Sequence, residues 1–180
     1  MKTKALKRKI TNRLAPHRDT PHPTGLRLKV IVVPIDFSAE SKKALRYACK
    51  LAEQFGAVLR LIHVVEPVPF LNDLTNVPLS PSDRDIAKEA FVKLQALAQD
   101  EIDELIPIYP EVRVGKPYRE IVGAAKLLGV DLIVIATHGH TGLKHALLGS
   151  TAERVVQYAP CPVLVVRENQ DNSFEEKTVQ

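Results

Sequence analysis

The chain has 180 residues, 45% of them hydrophobic and 26% charged, with two cysteines and a formal net charge of +4. That length holds one well-buried core, two thiols exclude a disulfide framework or a Cys-rich zinc site, and no apolar run is long enough to cross a bilayer. Residues 1–29 carry nine Lys or Arg against one acid, which leaves 16 bases against 20 acids elsewhere, so the body is net negative and a poor match for a phosphate-backbone binder.

Residues 1–28 combine this charge with Pro16, Pro21, Pro23 and Gly25 and read as a basic disordered arm. Ala5, Leu6, Ile10 and Leu14 recur at helical spacing, which leaves open a short amphipathic helix on an acidic membrane or partner. The charged start lacks the apolar core and cleavage site of a secretory signal, so a cytoplasmic protein is expected.

From residue 29 strand-length apolar runs alternate with helical periodicity, the sequence form of an α/β domain with a parallel sheet and crossover helices. Val30 to Ile35 is an unbroken apolar run ending at Asp36, as a strand covered on both faces requires. Ala44, Leu45, Ala48, Cys49, Ala52 and Phe55 then mark an amphipathic helix stopped by Gly56. Val58 to Val65 is the second strand, and its His63 reads as a core residue with a local hydrogen bond. Pro67, Pro69, Pro78 and Pro81 make residues 66–81 a long loop. Ser82 and Asp85 resemble a capping box opening a helix whose core face carries Ile86, Ala90, Leu94, Leu97, Leu105 and Ile106, closed by Pro107.

A short third strand is expected around Val112 and Val114. Ile121, Val122, Ala125 and Leu128 follow as a helix ended by Gly129, and Asp131 leads into a fourth strand, Leu132 to Ala136. Ala152, Val155, Val156 and Ala159 form a last helix stopped by Pro160 and Pro162, before a fifth strand, Val163 to Val166. Residues 29–168 are thus the folded domain, and 169–180 read as an acidic disordered tail. Cys49 and Cys161 are expected to be buried thiols.

The chemistry concentrates between strand four and the last helix. In an open parallel sheet ligands bind beyond the carboxyl ends of the strands, and a glycine loop opening onto a helix N-terminus presents N–H groups to phosphate. Gly139 and Gly149 suit that task by accepting positive φ and close approach, and the N–H groups of Ser150 and Thr151 point out of the first turn. If strands one and four are neighbours, Asp36 borders the same crevice. Its carboxylate repels phosphate and belongs at the base and ribose end, although Asp36 or Ser38 also serves as the cap of the next helix.

Five motifs in this order resemble the universal stress protein family: Val-Pro-Ile-Asp-Phe-Ser at 33–38, His63-Val64, Thr-His-Gly at 137–139, Leu-Leu-Gly-Ser-Thr-Ala-Glu at 147–153 and Pro-Cys-Pro-Val-Leu-Val-Val at 160–166. The resemblance implies an open five-stranded parallel sheet of order 3-2-1-4-5 with helices on both faces, similar to adenine nucleotide alpha-hydrolases. It also implies a homodimer paired through Val163 to Val166. ATP-binding members carry Gly-x2-Gly-x9-Gly-Ser/Thr, and here Gly139, Gly149 and Ser150 stand while Ala136 replaces the first glycine. By the same resemblance Pro34, Asp36 and Val64 frame adenine and ribose. Ile135, Ala136, Gly139, Gly149, Ser150 and Thr151 hold ribose and phosphates, with Mg²⁺ or Mn²⁺ bound through phosphate oxygens.

A nucleotide-binding stress-response switch, without dedicated catalytic side chains, is therefore expected. One alternative is a dimeric interaction platform without nucleotide whose basic arm meets an acidic partner, nucleic acid or membrane; another is a slow ATPase. His138, His140 and His145 invite a metal or general-base reading, but no Cys or carboxylate in that segment completes a metal set.

Overall fold

A computed structural model describes residues 26–67, 81–102, 105–137 and 148–167, with the side chains of 81–83 outside that description. Gly139, the three histidines of the 138–147 stretch, the proline-rich loop beyond residue 67, and most of the arm and the tail lie outside the described residues.

The strands are β1 (Val30–Pro34), β2 (Val58–Val65), β3 (Ile108–Val114), β4 (Leu132–Ala136) and β5 (Val163–Val166). They alternate with helices α1 (Ala39–Phe55), α2 (Pro81–Glu101), α3 (Pro117–Leu128) and α4 (Ser150–Tyr158). All strand pairs are parallel and the order is β3-β2-β1-β4-β5, as the resemblance implies. The chain winds outward from β1 to β3, returns, and continues on the other side through β4, so β1 and β4 meet where the winding reverses. Parallel strands need crossovers, and these cover both faces with helices, which is why β1 and β4 are almost wholly apolar.

Alternate strand residues enter two cores. Ile31, Val33, Leu59 and Leu61 pack with Ala44, Leu45 and Ala48 of α1 and Leu94 of α2. Val32, Ile62, Ile133 and Ile135 pack on the opposite face with Ile121, Ala124 and Ala125 of α3 and Val155 of α4. Burying each Ile, Leu or Val side chain stabilises the fold by about 1.5–3 kcal/mol, and a one-residue slip in β1 would exchange the two cores.

Local chemistry sets the boundaries. The Ser38 side chain caps α1 by accepting the Ser41 N–H at 3.1 Å, and Gly56 ends it at φ 64°, a left-handed conformation suited to glycine. Pro117 opens α3, where its missing N–H has no intrahelical role, and Gly129 closes it at φ 59°. The Asp131 carboxylate accepts the N–H groups of Lys29 and Val30 at 2.8 and 3.0 Å, fixing the start of β1 against the entry to β4.

Three sequence expectations need correction. β3 spans seven residues, Ile108–Val114, not only a short run around Val112 and Val114. It is an edge strand, where Pro110 needs no outward ladder bond, so a proline within it is compatible with the strand. The core face of α2 uses Ala90, Leu94, Leu97 and Ala98, whereas Ile86 is 47% exposed. The helix ends at Glu101; Leu105 lies beyond it, 88% exposed, and Pro107 accepts the Leu59 N–H at 2.9 Å at the entry to β3 instead of closing the helix. Cys49 is buried as expected, but Cys161 is only half-buried. Among the described residues no helix is long and apolar enough to cross a membrane.

Candidate functional site at the β1–β4 reversal

The carboxyl ends of the central strands and the starts of α1, α3 and α4 enclose a cleft of about 300 Å³. Pro34 and Asp36 come from the end of β1, Val64 from β2, Ile135 and Ala136 from β4, and Gly149, Ser150 and Thr151 from the entry to α4. Eight of the nine sequence-predicted residues therefore line one cavity, and the ninth, Gly139, lies outside the described residues. Adjacency of β1 and β4 brings them together although about a hundred residues separate the strands, and such a reversal point opens a crevice because flanking helices depart on opposite faces.

The two sides differ electrostatically. On the β1–β2 side stand the carboxylates of Asp36 and Glu66. Asp36 Oδ1 accepts the Ser38 backbone N–H at 3.0 Å and the Ser38 hydroxyl, so the group that caps α1 also holds the carboxylate. Phe37 between them sits at φ 67°, an uncommon conformation for a bulky side chain and one that turns the chain sharply after Asp36. Its ring packs on His63 with centroids 4.6 Å apart. His63 Nδ1–H donates to the Ile35 carbonyl at 2.7 Å, the local hydrogen bond expected of it.

On the β4 side the cavity meets the N-terminus of α4. Gly149 is the cap and has no side chain to accept a hydrogen bond, in contrast with Ser38 at α1. The first N–H groups of α4 thus lack the acceptor that a Ser or Asp cap supplies, and the helix dipole adds partial positive charge. Gly149 N–H donates to the Thr137 carbonyl at 2.7 Å, holding the helix start to the end of β4. The backbone at Gly149 has φ −66° and ψ 151°, open to any residue. Glycine is therefore not required there for positive φ, contrary to the sequence expectation; what it supplies is the missing side chain.

Pattern reasoning missed Ser41, Glu66, Pro117, Ile121 and Thr137, and took His63 as core although it also lines the cavity. A usable signal lay in the polar residues flanking apolar runs: Ser38, Ser41 and Thr137 are the buried polar side chains among the described residues, and all stand at this edge of the sheet. Among the described residues no group of three His, Cys, Asp or Glu side chains could hold a metal ion.

A sequence model of the universal stress protein family matches residues 27–167. The chain belongs to that family. Universal stress protein MJ0531 of Methanocaldococcus jannaschii is 38% identical over 142 residues, covering 77% of this chain and 82% of the relative. Among solved universal stress protein folds, the structure used for a structure-based assignment of the biochemical function of MJ0577 is 29% identical, with a TM-score of 0.69 over 80% of this chain and 99% of that one. A universal stress protein in complex with cAMP shares the fold at 22% identity, with a TM-score of 0.57 over 78% of this chain and 98% of its own. The universal stress protein domain thus accounts for both cores and every cavity wall described above.

Proposed function

We propose that this universal stress protein binds an adenine nucleotide, ATP, in the cleft and works as a nucleotide-dependent stress-response switch in the cytoplasm, not as an enzyme with dedicated catalytic side chains. The observation that carries the proposal is the polarity of the cavity, with two carboxylates at one end and a helix N-terminus without a side-chain cap at the other. A nucleotide has the complementary polarity. Its exocyclic amine and ribose hydroxyls donate to carboxylates, and its phosphates accept from backbone N–H groups at a helix start.

In this orientation Pro34 and Val64 flank the base, Asp36 takes hydrogen bonds from ribose or base, and Ile135 and Ala136 floor the ribose. Gly149, Ser150 and Thr151 meet the phosphates, joined by Gly139 from the segment before them. The volume falls at the lower end of the range for small-molecule clefts, about 300–1,000 Å³. Ala136 is only 8% exposed, so the methyl that replaces the family's glycine lies largely within the packed end of β4. Mg²⁺ or Mn²⁺ accompanies the nucleotide on its phosphate oxygens. A protein of this fold solved with cAMP is consistent with an adenine nucleotide here, although that likeness is one of fold.

The test is titration calorimetry with Mg-ATP, together with mass spectrometry of nucleotide released from the purified protein, for wild type and Gly149→Asp. The cap conformation accepts Asp, whose carboxylate would take the helix N–H groups and repel phosphate, so binding is lost while stability is unchanged or rises by a few tenths of a kcal/mol. Absence of nucleotide and of binding heat in the folded wild type would leave the interaction-platform alternative as the better account. Phosphate release from Mg-ATP above the spontaneous rate would favour the slow ATPase.

A further inference from the structure

Two arginines converge on one tyrosine beside the cleft. The Arg154 guanidinium carbon lies 4.9 Å from the centroid of the Tyr118 ring, and that of Arg119 lies 5.8 Å from it. Arg119 Nε–H also donates to the Tyr118 hydroxyl at 3.0 Å, and Tyr158 packs on the same ring with centroids 6.2 Å apart. Both arginines are exposed, and among the described residues neither is ion-paired.

Their place in the fold gives this cluster a role. Tyr118 follows Pro117, a cavity residue, in the first turn of α3. Arg154 stands one turn after Ser150, also a cavity residue, on the same face of α4. Helical side chains lean toward the N-terminus, so the long Arg154 side chain extends back along the first turn of α4 as it reaches the Tyr118 ring. The cation is thereby held between the first turn of α3 and the first two turns of α4, whose Pro117 and Ser150 line the cavity.

We propose that Arg154, steadied on Tyr118 and seconded by Arg119, is the residue that counts phosphates: it contacts the terminal phosphates of a nucleoside triphosphate and makes the site prefer ATP over AMP. The inference rests on the nucleotide reading of the cleft. Guanidinium suits the role because its planar fork meets phosphate oxygens in two parallel hydrogen bonds, and stacking on an aromatic face orients it beforehand. Tyr118 is a positioning residue. Its hydroxyl is held below the usual tyrosine range, first by the Arg119 hydrogen bond and then by the charges of both arginines.

The experiment is calorimetric titration of the full chain with Mg-ATP, ADP, AMP and inorganic tripolyphosphate, for wild type, Arg154→Gln, Tyr118→Phe and Tyr118→Leu. Wild type is expected to bind in the order ATP, ADP, AMP, and Arg154→Gln to weaken ATP about tenfold while changing AMP by less than about twofold. Tripolyphosphate binding falls with ATP binding, Tyr118→Phe retains the preference, and Tyr118→Leu loses it. Unchanged melting temperatures confirm that these substitutions leave the fold intact. Equal affinity of wild type for ATP and AMP, or equal loss of both in Arg154→Gln, overturns the inference while leaving the nucleotide reading standing. No binding of any nucleotide or of tripolyphosphate by wild type overturns both.

Discussion

The Ser38 hydroxyl joins two structural tasks at once: it donates to Asp36 Oδ1 and accepts the backbone N–H of Ser41 at 3.1 Å. Helix capping and the setting of the cleft carboxylate therefore share one atom. Ser38→Ala removes both bonds and leaves the Ser38 N–H donating to Asp36 at 3.0 Å. Loss of the cap is expected to cost about 1 kcal/mol, read from urea denaturation. Loss of the Asp36 donor is expected to weaken Mg-ATP binding by roughly threefold to tenfold, read by calorimetry. Lower stability with unchanged affinity would show that Asp36 does not depend on Ser38 for its orientation.

Cys49 is 8% exposed on the buried stripe of α1, and its thiol is pushed up to about 11, first by burial and then by the charges of Glu53 and Glu101. Cys161 is raised too, by its partial burial and by Asp131. Native protein at pH 8 should therefore react with a thiol reagent at Cys161 first, and at Cys49 only on unfolding. The folded state favours the protonated Cys49 thiol more than the unfolded state does. Its contribution to stability is thus fully present below about pH 9 and is lost as pH rises through about 11. Cys49→Ala should show a shallower decline in melting temperature across that window than wild type, and parallel declines would overturn the assignment.

β5 is an edge strand of four residues, and Leu164 on it is 38% exposed. An apolar edge with unpaired ladder groups needs a cover or a charge, and a second copy of the strand supplies the cover in the expected homodimer. We propose that this cover is made in a homodimer: light scattering is expected to show a dimer for wild type and a folded monomer for Leu164→Lys. A monomeric wild type would remove the dimer proposal.

Sequence alone determined the fold class, because strand-length apolar runs and the 3.6-residue stripes of α1 and α3 each follow from local burial needs. The stops at Gly56 and Gly129 were legible for the same reason: a left-handed residue ends the helix wherever glycine stands after its apolar stripe. α2 and β3 were less legible. Ile86 and Leu105 fit a helical period yet face solvent, because the cover over each turn is set by the chain packed on it and not by the period. β3 holds Pro110, which an edge strand tolerates and a central strand would not, and only the tertiary structure shows that β3 is at the edge.

The family resemblance, rather than periodicity, supplied the strand order; the parallel pairing of β1 with β4 is a relation between distant segments that no local pattern encodes. Only the tertiary structure decided the consequences of that pairing: Asp36 and Ser150 share a cavity, His63 and Thr137 join them, and Arg154 reaches the ring of Tyr118. Local residues choose their own helix or strand through φ, ψ and burial, whereas a site is made by surfaces that meet only when the sheet has closed its order.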